Sequence, residues 1–309
     1  MKYKMYRYTA IGILTWIATA TGAVAAGDAG DILYLSVDAK AAALGKSVVS
    51  SVEDSTSVFW NPAGLGAVKR QEVSTSIYQY LGWNFQALFL AGNWQGIGLG
   101  MGYVASSIDG IQESVIGGNG RGLDTGKSFD ETQRVWLAGA SVLVPWVDKM
   151  RVGTTIKYIT HSLYNYAAAG WGMDVGLQGE IPNNEEPENA AKWGVQVLNA
   201  IRPTMEWNTL SKTKETAQMV IRPGISIPFL KRSLWLHTQL DLQSKTNELQ
   251  FGGDYWITPS MIFRAGYANR HIAFGTGLCF KDFSMDFSWE ESGLDAAMEL
   301  YKLSMRYCW

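Results

Sequence analysis

The chain has 309 residues, 17% of them charged, with 33 Gly, 13 Trp, 14 Tyr and a formal net charge of −2. Charge is scarcer than the ~25% of an ordinary soluble domain, yet a mean hydropathy of −0.04 is too polar for a bundle of membrane helices. The balance offers no basic stripe for nucleic acid and fits a membrane β-barrel, whose strands alternate apolar and polar residues.

Residues 1–26 read as a secretory signal: Lys2, Lys4 and Arg7 precede the apolar stretch Ile11 to Ala20, and Ala23-Val24-Ala25 supplies a small-x-small cleavage site. Thr15, Thr19, Thr21 and Gly22 interrupt the stretch, which argues against a membrane anchor. Cleavage removes three of the 26 basic residues and none of the 28 acidic ones, leaving a net charge of −5.

Residues 27–68 precede the first alternating segment and are expected to form an N-terminal hatch. Their centre, 39–65, mixes small and polar residues, carries the pair Glu53-Asp54 and closes on Trp60-Asn61-Pro62-Ala63-Gly64. Asn before Pro favours a turn, and Pro-Ala-Gly allows a compact bend. A segment this apolar needs burial, and a barrel lumen beside the glycine line Gly96, Gly98, Gly100 and Gly102 offers the room. Asn61 and Pro62 are expected to fix the turn, with Asp54 held by an inner-face Arg or Lys.

Residues 69–309 carry fourteen alternating segments, near 72–80, 83–92, 97–106, 132–144, 149–160, 169–179, 192–202, 216–227, 233–242, 247–256, 259–268, 271–280, 282–290 and 299–309. Most approach the ~9–11 residues that a tilted strand needs to cross a bilayer. The expected fold is all-β: a 14-stranded antiparallel transmembrane β-barrel with an N-terminal luminal hatch. An even count places both barrel ends on the periplasmic side, so the connection 107–131 becomes the longest extracellular loop. Connections at 145–148, 257–258 and around 281 become short periplasmic turns, and the acidic 180–191 is a misfit among them. A soluble β-sandwich also alternates, but its outward face is polar. Here one face is aromatic near the strand ends, and the other mixes charge with glycine.

The inner face is expected to include Arg151, Lys157, Asp174, Arg222, Asp241, Asp254, Arg264, Lys281, Asp286, Lys302 and Arg306. Neighbouring strands then offer the ion pairs Lys157–Asp174, Asp254–Arg264 and Asp286–Arg306. Mixed signs argue for a cross-strand network rather than an ion-selectivity ring. The chain ends on a strand with Tyr307 and Trp309 on its apolar face, which points to an assembly signal read by the barrel assembly machinery or to an anchor in outer-membrane lipid.

The sequence resembles the PorV/PorQ family of outer-membrane proteins, relatives of the FadL-like fatty-acid transporters. The likeness rests on Ala42 through Leu44-Gly45, on Glu53-Asp54 and on Phe59-Trp60-Asn61-Pro62-Ala63-Gly64-Leu65. It continues in GWGMDVGLQGE (170–180), WGVQVLNAIRPTMEW (193–207) and FGGDYWITPSMIFRAGY (251–267). Lys46-Ser47 and the Glu-Asp pair depart from the family pattern. The resemblance implies a hatch-bearing barrel in the outer membrane and two functions. One is an accessory or cargo shuttle of a type IX-like secretion system, with secretion components or secreted cargo as partners. The other is a FadL-like channel admitting small hydrophobic molecules. No cofactor is implied.

Enzyme readings find little footing. The stretch GGNGRGLDTGKS (117–128) ends like a phosphate loop but has Arg121 where the first glycine belongs. His161, His237 and His271 lack metal-ligand spacing, and no Gly-x-Ser-x-Gly elbow occurs. The nearest catalytic candidate is His237 beside Asp241, for which a structural hydrogen bond is the expectation. Cys279 and Cys308 fall two strands apart, too far for a disulfide, and are expected as free thiols.

Overall fold

The computed structural model describes residues 30–80, 82–116, 121–183, 186, 189–244, 246–291 and 299–309. The signal segment 1–26 and residues 117–120 of the phosphate-loop mimic lie outside the described residues. Sixteen strands follow one another: β1 (Glu72–Tyr80), β2 (Trp83–Trp94), β3 (Ile97–Ile116), β4 (Gly122–Leu143), β5 (Arg151–Leu163), β6 (Tyr166–Ile181), β7 (Ala191–Ile201) and β8 (Thr204–Trp207). Then come β9 (Lys214–Thr216), β10 (Val220–Phe229), β11 (Leu234–Leu242), β12 (Asn247–Thr258), β13 (Met261–Ala268), β14 (His271–Phe280), β15 (Phe283–Glu291) and β16 (Glu299–Cys308).

All but β8 and β9 close into a 14-stranded antiparallel barrel. Each strand pairs with the next, β7 pairs with β10, and β16 returns to β1 from Glu72↔Cys308 to Ile77↔Leu303. Closure satisfies the backbone groups that an open edge would leave bare in lipid.

Alternation assigns the two faces. Leu99, Met101, Trp136, Ile156 and Trp171 project outward and are exposed. Tyr103, Trp136, Tyr158 and Trp171 form a row of rings across β3 to β6, with centroids 5.7, 5.8 and 4.5 Å apart. In water so large an apolar surface would aggregate; against lipid it is the ordinary outer face of a membrane barrel.

Two elements depart from the sequence expectation. Residues 107–116 and 122–131 are not an irregular loop: β3 runs 20 residues and β4 runs 22, and they stay paired after their neighbours stop. Pairing with β2 ends at Trp83↔Ile108 and with β5 at Glu131↔Leu163, so a two-stranded ribbon rises beyond the wall. A bulge between Ile108 and Ile111 contains Gly110 at φ 72, a conformation that suits glycine. The second departure follows β7. Its register against β6 shifts between Met173 and Val175, Asn199 takes φ 57, and the chain turns into the β8–β9 hairpin. Ala168 and Ala169 of β6 pair with β8.

Inside the barrel lies the N-terminal segment. A 3-10 turn (Asp31–Tyr34), helix α1 (Ala39–Ala43), helix α2 (Ser57–Trp60) and a second 3-10 stretch (Pro62–Ala67) follow one another. The Asp38 carboxylate caps α1 by accepting from the Ala41 N–H at 2.8 Å. Asn61 caps the second 3-10 stretch, and Pro62 takes its first position, where a missing N–H costs nothing. Val37, Leu44, Val58, Phe59, Trp60 and Leu65 are buried in one apolar cluster with the wall.

Candidate functional site: the luminal segment and its two-sided wall

Glycines on the wall let the segment's backbone approach it. A Cβ at Gly98 would stand 2.1 Å from the Leu65 carbonyl oxygen, and one at Gly100 would stand 2.6 Å from the Leu65 side chain. Gly153, Gly176, Gly194 and Gly266 repeat the arrangement against Pro62, Asn61, Val49 and Gly45. Gly102 instead faces Phe89 and Leu137 across the wall. Gly96 is not on the luminal wall: it stands in the β2–β3 turn at φ 87, with open space around it.

Wall side chains satisfy the irregular backbone, which burial would otherwise leave unpaired. Thr155 donates to the Val58 carbonyl (2.8 Å), Ser141 to Ala63 (2.9 Å), Gln178 to Val52 (3.0 Å) and Gln196 to Phe59 (3.1 Å). The Gln239 amide oxygen accepts from the Val49 N–H at 3.0 Å. Asn61 ties the segment to itself and to the wall, donating to Val49 (2.7 Å) and to Leu177 of β6 (3.1 Å). Trp60 donates its indole N–H to Asp38 at 2.7 Å, joining the Trp60–Gly64 stretch to the cap of α1. A Cβ at Gly64 would meet the Val52 carbonyl at 2.2 Å, and Ala63 is wholly buried.

Two adjacent carboxylates latch the segment from opposite sides. Asp54 accepts from Lys40 at 3.1 Å, from Arg306 of β16 at 3.1 Å and from the Thr56 hydroxyl at 2.5 Å. Glu53 accepts from Arg151 of β5 at 2.8 Å and from Lys192 of β7. Burial pushes the Asp54 carboxyl upward, but Lys40 and Arg306 outweigh it and hold the group well below the usual carboxylate range. Glu53 is lowered too: burial opposes ionisation, and Lys192 and Arg151 prevail. Asp38 is raised, because burial outweighs its bonds to Ala41 and Trp60.

A polar network covers the inward faces of β10 to β16 and reaches β5 and β6. Lys157 pairs with Asp174 at 2.5 Å, both buried, and Asp254 with Arg264 at 2.8 Å. Asp286 does not take Arg306: its partner is Arg264 at 2.6 Å, while Arg306 turns to Asp54 and to Ser284. Asp286 stands opposite Ser304 and Arg306 opposite Ser284, two residues out of step, and the nearby Asp54 of the luminal segment takes Arg306 instead. Lys281 is exposed in the β14–β15 turn rather than luminal. His237 bonds Ser226 (2.7 Å) and Asp254 (3.2 Å), not Asp241, whose partner is Arg222 at 2.9 Å. Ser226 and His237 are buried, and Ser226 touches Ser50 of the segment at 2.6 Å, so this row serves as another tie.

Part of the inward face of β2 to β4, with Ile159 of β5, is apolar instead. Phe85, Phe89, Val104, Val135, Leu137 and Ile159 are buried and join one cluster with the segment. At the junction of the two halves, a cavity of about 30 Å³ lies between Asp38, Lys40, Asp54, Ser76, Phe89 and Arg306, room for about one water. Toward the rim away from the termini, Tyr78 stacks on Phe85 at 4.3 Å, and Lys302 stands over the Tyr78 ring at 4.7 Å. Above Val135 and Ile159 the wall turns polar again: His161 bonds Glu131 at 2.9 Å, with Gln133 beside it. Sequence reasoning missed this cluster, whose members stand 28 to 30 positions apart and meet only through the β4–β5 register.

Among the described residues no group of three or more His, Cys, Asp or Glu side chains could hold a metal ion. Cys279 and Cys308 are free and half-buried. The Trp309 N–H donates to the Gln71 carbonyl at 2.9 Å, and its ring stacks on Tyr307 at 6.0 Å.

No protein-family model matches the chain, and no curated protein matches it by sequence. Solved structures do. The chain is similar to the Pseudomonas putida toluene transporter TodX, at 13% identity and a TM-score of 0.58 over 87% of this chain and 96% of that one. It is also similar to the Ralstonia pickettii toluene transporter TbuX, at 12% identity and a TM-score of 0.57 over 88% and 97%. The monoaromatic hydrocarbon channel CymD gives 12% identity and a TM-score of 0.59 over 88% and 97%. At this identity the likeness is one of fold: a closed β-barrel.

Proposed function

We propose that this protein is an outer-membrane channel for small hydrophobic molecules, with residues 30–68 as its hatch. The observation that carries the reading is the apolar patch on the inner wall of β2 to β4, continued by Ile159 of β5. A barrel that passes water-soluble solutes has a polar interior, whereas here Phe89, Val104, Val135, Leu137 and Ile159 face inward. A hydrophobic molecule would exchange contacts with such a wall at little cost, and the segment that now covers the wall would have to yield. The rim holding residues 72 and 308 is then periplasmic, and the β3–β4 ribbon stands outside the cell. The likeness to hydrocarbon channels supports this reading better than the secretion accessory that the sequence resemblance raised. The deciding assay is uptake by cells whose own hydrophobic-molecule channels are deleted. Expression of the protein should raise accumulation of radiolabelled toluene and leave sucrose unchanged, and Phe89→Asp should abolish the gain. Equal toluene uptake with and without the protein would refute the proposal.

A further inference from the structure

The inner wall of β4 and β5 is banded. Val135 and Ile159 are register partners and buried. The next inward pair toward the far rim is Gln133 and His161, and Glu131 follows on β4. Beyond them, past the β3 bulge, Ile111 and Phe129 are paired on the same side of the ribbon. A polar band thus interrupts an apolar one at the mouth of the barrel.

The band is reachable. His161 and Glu131 keep 17% and 19% of their side-chain surface exposed, against 0% and 2% for the Lys157–Asp174 pair deeper in the wall. Trp207 of the β8–β9 hairpin sets its ring 4.9 Å from the His161 ring at 60°, giving the band an aromatic side.

We infer that Glu131, Gln133 and His161 form the head-group site of the channel, and that its preferred substrates are neutral amphiphiles: small apolar molecules bearing one hydroxyl. This inference rests on the channel reading above. A pure hydrocarbon drawn past the band displaces water from a His–Glu pair and returns no hydrogen bond. A hydroxyl replaces that water, accepting from or donating to the pair while its apolar body meets Trp207 on one side and Val135 and Ile159 below. Glu131 and His161 are already joined at 2.9 Å within the site, so a neutral head can add a hydrogen bond without taking either group from the other.

The test uses two molecules of nearly equal shape, p-cresol and p-xylene, taken up by cells expressing the full chain. Wild type should half-saturate at about tenfold lower p-cresol than p-xylene, the scale of one net hydrogen bond. His161→Phe and, separately, Gln133→Leu should bring the two concentrations together, chiefly by raising the one for p-cresol. Heat-modifiable mobility confirms that each variant barrel is folded. A wild-type ratio near one, or a ratio the folded variants leave unchanged, overturns the inference and leaves the channel standing. Uptake of neither compound above the barrel-free background overturns the channel reading itself, and the inference with it.

Discussion

Arg306, three residues from the end of the chain, donates to Asp54 of the luminal segment across 252 positions of sequence, at 3.1 Å. The last strand closes the barrel and also holds what fills it. Asp54 receives Lys40 as well, so one buried carboxylate compensates two half-buried cations.

Removing that carboxylate strands both. Asp54→Asn is expected to loosen the segment by about 3 kcal/mol, the scale for breaking a buried pair from one side. Limited proteolysis of the folded barrel should then cut within 39–65, where wild type resists. Arg306→Gln combined with Asp54→Asn should cost less than the sum of the two single changes, because they share one interaction.

The latch should withstand mild acid. Asp54 and Glu53 both have folded-state pKa values below their ordinary ones, so their stabilisation is full above the unfolded pKa and is lost as pH falls through the folded values. Asp38, whose value is raised, runs the other way: its contribution is greatest in acid and is lost as pH rises through the folded value. Protease resistance of 39–65 should therefore hold from pH 8 to about pH 5 and fall only below about pH 4, under the ordinary carboxylate range. Release near pH 6 would show that other groups govern the latch.

Two adjacent glycines separate the luminal contact from a general effect on the strand. A Cβ at Gly252 would stand 2.5 Å from Ser47 Oγ and 2.6 Å from the Leu44 carbonyl, whereas one at Gly253 would find Leu236 at an ordinary 3.5 Å. Gly252→Ala should displace the segment at a cost of about 1–3 kcal/mol and raise single-channel conductance. Gly253→Ala should leave conductance as in wild type.

The wall was far more legible in the sequence than its contents. Period-two alternation located all fourteen barrel strands, because lipid on one side and a filled lumen on the other impose it on each. The ribbon was not legible: Gly110, Gly126 and the polar residues just before Phe129 read as loop, although cross-strand pairs such as Gln112↔Ser128 and Ser114↔Asp124 make this stretch strand. Nor was the partner of Arg306, since alternation fixes a side chain's face but not its rotamer, and Asp286 and Asp54 compete for the same wall. His237 shows the same limit, its partner Asp254 coming from β12 rather than from its own strand. The Glu131–His161 band required the β4–β5 register, which no local pattern reveals.

At the other extreme of the chain, Trp309 is tied to Gln71 and stacked on Tyr307. As an anchor alone its loss should cost about 1–3 kcal/mol, the burial of one aromatic. We expect deletion of Trp309 to lower the amount of assembled barrel sharply while export to the periplasm continues, as for a signal read during assembly. Normal outer-membrane levels of the shortened chain would leave Trp309 as an anchor.

The central claim is that the segment inside the barrel must move for a hydrophobic molecule to pass. Ser50 and Ser226 bring their hydroxyls within 2.6 Å across the boundary between segment and wall, which makes them the place to lock it. Both are replaced by Cys in a chain whose Cys279 and Cys308 are Ser, and toluene uptake is measured oxidised and then reduced. The account predicts no uptake above background while the bond is closed and recovery to the wild-type rate on reduction. Equal uptake in the two states, with the disulfide shown to be formed, would contradict it.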